Sequence, residues 1–286
     1  RLVDAAGVHL RTRVRDCAEP VLVEDGDGLV AIYGIPYLEP EAVRAELPPE
    51  TGRGHSAVLA AALDGVRRDL GGRRVGRSVV LAHAWVGQAL PSESERDITV
   101  GGVASVPAAL FDGFTYGALG HLHGPQVLSD GLRYSGSPLA YSFSEAGHVK
   151  GSWLVDLSAA GLSRVEHVPA PVPKRLSALR GPLAELLTSR AYDGQAGDWL
   201  QVTLTDAARP DDAMARLTAR FPHVLVLRHE PEGAAVDERS YVARVAGRTP
   251  TQIGAAFVEH VRGTPIEPDE AELLSAALEN DRLAAV

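Results

Sequence analysis

Cysteine is all but missing from this chain. Cys17 is the only one in 286 residues, which excludes an internal disulfide and any cysteine-ligated zinc cluster and suits a reducing compartment. No neighbouring histidine marks Cys17 as a nucleophile, so it reads as a buried, neutral thiol. Long apolar runs are absent too. The longest lies around Ser78 to Ala84, far short of the roughly 20 residues that span a bilayer, and no basic-plus-apolar leader opens the chain. The expected location is the cytoplasm, with no membrane partner. Three familiar signatures are missing as well: the G-x-S-x-G nucleophile elbow, the G-x-x-x-x-G-K-[ST] phosphate loop and a strand-bound G-x-G-x-x-G. Gly71-Gly72 and Gly101-Gly102 read as turns instead. Methionine occurs once, at Met214, asparagine once, at Asn280, and lysine twice, at Lys150 and Lys174. A chain that begins at Arg1 with one internal methionine reads as lacking its natural start.

What is present describes a globular protein. Hydrophobic residues make up 45% and charged residues 23%, a balance that excludes disorder, collagen and coiled coil, and the length accommodates two unequal domains. The formal net charge of -9 counts against nonspecific nucleic-acid binding, which draws its affinity from lysine and arginine at phosphates. An acidic metalloenzyme can nevertheless meet a phosphate through the cations it binds.

The pattern along the chain is α/β. Val21 to Tyr33 carries two β-rich runs around Asp-Gly-Asp-Gly, a hairpin signal. Ser56 to Leu70 has apolar residues at helical spacing, with Ser56 available as N-cap and Gly71 and Gly72 closing it. The apolar run within Arg77 to Val86 predicts a strand buried on both faces. Phe114 to His123, Leu132 to Phe143 and Gly151 to Leu157 supply further strands. The proline cluster from Pro169 to Pro173 marks a boundary. Beyond it the expected order is a helix over Leu176 to Ser189, a strand over Trp199 to Thr205, a helix over Ala213 to Phe221 and a strand over Val224 to His229. Two helices follow, Thr251 to Val261 and Pro268 to Leu283, the last strongly acidic and readable as a solvated face or as a docking segment. The domain expectation is therefore residues 1–170, 171–247 and 248–286. The arginines at 67, 68, 73, 74 and 77 read as a solvated helix end, with a phosphate contact as the lesser alternative.

Three of the ten histidines occupy unusual places. Gly120-His121-Leu122-His123-Gly124 ends a strand, and alternate strand positions share a face, so His121 and His123 can converge. His83 ends another apolar strand, where a desolvated imidazole must be hydrogen-bonded or coordinated. His83 alone reads either as a satisfied core histidine or as a ligand. The three together point to a metal, with imidazole suiting zinc, manganese or iron and any added carboxylates shifting the preference toward manganese or magnesium.

His83 in LAHAWV, the SESER loop, GALGHLHGPQ and YSGSPLAYSFSE, in that order, resemble the SbcD family of bacterial nuclease subunits among the calcineurin-like metallophosphoesterases. IYGIPYLEP at Ile32 to Pro40 resembles the same family, and the likeness covers most of Val21 to Pro173. It implies a layered metallophosphoesterase β-sandwich flanked by helices, a small α+β capping domain and a helical segment that binds the SbcC ATPase. It also implies a site of two metal ions, usually Mn(2+) with Mg(2+) as an alternative, in which His83 and His121 hold one ion and His123 the other. The implied activity is metal-dependent endonuclease and exonuclease cleavage of DNA ends and hairpins, in a heterotetramer built on a homodimer, serving DNA repair, replication and recombination. The family's D-x-H, G-D and G-N-H-D strings do not occur here, so the chain is expected to carry about half of such a site, with roughly one hundred preceding residues missing by domain-length reasoning. A stand-alone small-molecule phosphodiesterase and a non-catalytic scaffold for SbcC or DNA are the alternatives.

Overall fold

The computed structural model describes residues 6–87, 89–90, 105–232, 247–262 and 264–284. The Pro-Ser-Glu-Ser-Glu-Arg-Asp loop after Leu90 and Gly101-Gly102 lie outside the described residues. The chain divides into two compact units, Arg1–Pro173 and Lys174–Val286.

The first unit is built on a six-stranded sheet of order β1-β2-β3-β4-β6-β5, from β1 (Val21–Asp25), β2 (Gly28–Ile35), β3 (Arg77–His83), β4 (Tyr116–Gly120), β5 (Gln126–Ser129) and β6 (Leu132–Tyr134). Its centre is parallel, β2 with β3, β3 with β4 and β4 with β6, while β1 and β5 pair antiparallel at the edges. The Asp-Gly-Asp-Gly signal becomes the β1–β2 hairpin, with Asp25 opposite Gly28 and Gly28 at φ 104, a conformation glycine adopts without steric cost. After a single turn, α1 (Pro40–Val43), comes the long helix α2 (His55–Gly72). Its N-cap is Gly54 rather than Ser56, and Gly71 and Gly72 form its last turn instead of ending it. The apolar stripe Val58, Leu59, Ala62, Leu63 and Val66 packs against Tyr33, Ile35, Val80, Ala82 and Leu119. Burial of that stripe, rather than helix propensity, fixes α2 on the sheet.

The strand over Arg77 to Val86 is shorter than predicted and buried on one face only. Leu81, on the side away from α2, is 46% exposed and lines an open cleft of about 470 Å³ with His9, Arg11 and His83. Arg77 also departs from the solvated-end reading. It is buried, donates to both carboxylate oxygens of Asp25 and to the Gly28 carbonyl, and so pins the hairpin to β3. Two hairpin strands, β7 (Gly151–Ser158) and β8 (Gly161–Pro169), complete the unit.

The second unit holds a parallel three-stranded sheet, β11-β10-β9, from β9 (Leu176–Gly181), β10 (Trp199–Leu204) and β11 (Val224–His229). The helix expected over Leu176 to Ser189 is in fact β9 followed by α3 (Leu183–Thr188). Pro182 divides the two, and pairing with β10 gives the first half backbone partners that a helix interrupted there would lose. Helix α4 (Ala213–Arg220) buries Leu217 with Leu183, Leu186, Leu200 and Val202. The terminal helices α5 (Pro250–Arg262) and α6 (Pro268–Ala284) touch where Gly254 meets Leu274, and Arg262 donates to both Glu270 oxygens at 2.7 and 2.8 Å. No described helix is long and apolar enough to cross a membrane.

Two outcomes follow from this packing. Leu63 is fully buried, so Leu63→Ala lowers unfolding free energy by about 2–5 kcal/mol in urea titration; a smaller loss would mean the α2 interface is loosely packed. The Arg262 guanidinium holds Glu270 down at about 2. Because this folded-state pKa is depressed, the contribution of the pair is complete above the ordinary carboxylate value and is lost as pH falls toward about 2. Carboxyl NMR should place the Glu270 midpoint there in the intact chain and return it to the ordinary range in Arg262→Gln.

Candidate functional site

The parallel register of β3 and β4 sets His83 opposite Gly120, so the two strands end together. His121 is the first residue past β4, and its Nδ1 lies 3.3 Å from His83 Nε2, with the rings edge to face. Strand geometry stops at Gly120, and His121 takes φ 118, a region that L-residues seldom occupy. Alternation along a strand therefore does not place the H-x-H pair as the sequence suggested; a strained turn does. Strain of this kind costs about 1–3 kcal/mol and persists only where neighbours hold it.

His83 retains solvent access, yet desolvation by its surroundings holds its imidazole below the ordinary histidine pKa. It is thereby kept neutral, the form that coordinates a cation. Between the two rings only one nitrogen can carry the shared proton. A cation held by both would need both nitrogens as acceptors, so this hydrogen bond would have to open.

His123 faces different groups. Its Nδ1 is 2.9 Å from Glu145 Oε1 and its ring lies against Tyr141. Its carbonyl accepts from Lys150 Nζ at 2.8 Å and from the Ser137 N–H at 3.1 Å. Gly136, at φ 79, lies so close that a Cβ there would sit 2.5 Å from the His123 carbonyl oxygen. The Ser-Gly-Ser turn is thus a backbone clamp on His123. Among the described residues, no group of three or more His, Cys, Asp or Glu side chains is gathered tightly enough to hold a metal ion. The donors that are present, imidazoles with one backed by a carboxylate, suit a divalent transition metal and fit as part of its shell.

Sequence reasoning missed several residues around these histidines. Tyr37 stands edge-on to His83 and also near His55, joining the α2 N-terminus to the site. Glu145 and Lys150 are buried behind His123. Lys150 is one of two lysines in the chain, and no local pattern marks it as buried. Cys17 matches its reading: burial pushes its thiol up to about 11.

In the second unit, residues 172–262 match the family model SbcD_C, described as a type 5 capsule protein repressor C-terminal domain. Over that stretch the chain resembles the C-terminal domain of SbcD-type proteins. The match spans about a third of the chain and covers β9 through α5.

Strain at His121 can be checked directly. In His121→Gly the strain relieved, about 1–3 kcal/mol, exceeds the added unfolded-state entropy of glycine, about 0.4–1 kcal/mol. His121→Gly should therefore melt at a higher temperature than His121→Ala; the reverse order would remove the strain argument.

Proposed function

We propose that this chain belongs to a metal-dependent DNA nuclease that hydrolyses phosphodiester bonds at DNA ends and hairpins in company with an SbcC ATPase. The observation that carries this reading is the joining of an SbcD-type C-terminal domain to a unit whose parallel strand ends bring His83 and His121 within hydrogen-bond reach. In this proposal the first unit is the C-terminal portion of a metallophosphoesterase sandwich. Residues 171–247 correspond to the family's capping domain and residues 248–286 to its partner-binding helices.

His83 and His121 would hold one divalent cation, manganese first, and His123 a second. When bound, such cations orient the phosphodiester, offset charge developing on its oxygens and acidify the attacking water. The chain's own contribution is positional. The β3–β4 register fixes where the imidazoles lie, desolvation keeps His83 neutral, and the Ser-Gly-Ser clamp fixes the His123 backbone. The exposed sheet face beside His83 leaves the site accessible from the side of His9 and Arg11.

Manganese-dependent cleavage of a DNA hairpin by the full-length protein with its ATPase partner tests the reading. His121→Ala should lower the rate by more than about 100-fold, beyond the usual 10–100-fold effect of losing a group that merely supports a ligand. Undiminished cleavage would overturn it. Cleavage of small phosphodiesters alone, with DNA untouched, would favour the small-molecule enzyme, and binding of SbcC or DNA without cleavage would favour the scaffold.

A further inference from the structure

Glu145 is fully buried and Lys150 is 5% exposed, an ion pair sealed behind His123 in the first unit. The two oxygens of Glu145 serve different partners. Oε2 accepts from Lys150 Nζ at 2.6 Å and from the Tyr141 N–H at 3.3 Å, with Ser137 Oγ at 3.4 Å. Lys150 Nζ also donates to Ser137 Oγ at 2.9 Å and to the His123 carbonyl, so the ammonium is held as firmly as the carboxylate it faces. Oε1 faces His123, 2.9 Å from Nδ1.

A carboxylate only accepts, so across this contact the imidazole must donate from Nδ1, which makes Nε2 the basic nitrogen of a neutral ring. We propose that Glu145, fixed by Lys150, is a positioning residue that locks His123 in the Nδ1–H tautomer and so makes Nε2 its coordinating atom. The inference rests on the reading of His123 as a ligand. A charge pair buried at this depth costs desolvation that a packed apolar pair would avoid, and holding one imidazole in one tautomer is a return for that cost. The arrangement also sets rotation of the ring, because Glu145 fixes one nitrogen while Lys150 and Ser137 fix the backbone of the same residue.

Replacement of Glu145 by glutamine has a determinate outcome. Lys150 Nζ and the Tyr141 N–H both need an acceptor on their side, so the amide oxygen must turn toward them. Its NH2 group then faces His123, Nδ1 becomes the acceptor and the proton moves to Nε2.

Long-range 1H–15N correlation spectra of the metal-free full-length protein at pH 8 read this directly. Wild type should show Nδ1–H with an unprotonated Nε2 at His123, and Glu145→Gln should show the inverted tautomer. Manganese calorimetry should then show affinity lower by about 10–100-fold in Glu145→Gln. An Nε2-protonated His123 in wild type overturns the proposal whether or not the variant folds, and so does retention of Nδ1–H in a folded Glu145→Gln. His123→Ala separates the two claims. If it leaves manganese affinity unchanged, the ligand reading itself fails and the proposal with it. If it lowers affinity while tautomer-inverted Glu145→Gln does not, only the positioning role is lost.

Discussion

The parallel pairing of β3 with β4 is the constraint on which the site depends. It sets His83 level with Gly120, so that the first residue after β4 must emerge beside the last residue of β3. A slip of one residue would turn every side chain of one strand to the opposite face, sending Val80 and Ala82 out of the core. The apolar stripe of α2 prevents that slip. Arg77 secures the other end of β3 by binding Asp25 across the neighbouring hairpin. The histidine pair is thus placed by core packing at some distance from it, and its geometry is inherited from residues with no chemistry of their own.

His123 is placed by other means. It lies past the end of regular structure, and what holds it is polar: the Gly136 turn, the Ser137 amide and the Lys150 ammonium on its backbone, with Glu145 at its ring. The two halves of the proposed ligand set therefore respond differently to perturbation. Loosening the α2 interface would disturb His83 and His121 first. Disrupting the Glu145–Lys150 pair would act on His123 while leaving the six-stranded sheet intact.

Much of this was legible in the sequence, for identifiable reasons. The first hairpin was announced by its turn residues and α2 by the helical periodicity that its burial demands, while the apolar run of β3 announced a strand but overstated its burial, since the face of Leu81 is open. The alternation expected to align His121 with His123 was misleading, because the strand ends at Gly120 and a positive φ at His121 re-aims the chain. The stretch from Leu176 to Ser189 was read as one helix because its leucines suit either period. Only the partner strand β10 distinguishes them, and that pairing is not local. Glu145 closes the YSGSPLAYSFSE string, yet its place behind His123 was not legible for the same reason, because its contacts with His123 and Lys150 are made by the folded chain.

The negative charge of the chain bears on how a phosphate would be received. Three arginines that precede the site in sequence, Arg67, Arg73 and Arg77, are occupied internally. Arg67 donates to Asp64 and the Leu110 carbonyl, Arg73 grips Asp69, and Arg77 is buried against Asp25. Releasing any of them to a substrate would break contacts that anchor α2 or the first hairpin. In the proposed function, a phosphodiester approaching His83 and His121 would meet imidazoles, and Arg11 in the adjoining cleft, within a net charge of -9. Cations bound by the imidazoles would add to what Arg11 supplies, and their retention would depend on how well the chain holds each imidazole in the right tautomer. On that argument, the buried Glu145–Lys150 pair matters as much to substrate charge as to the shape of the site.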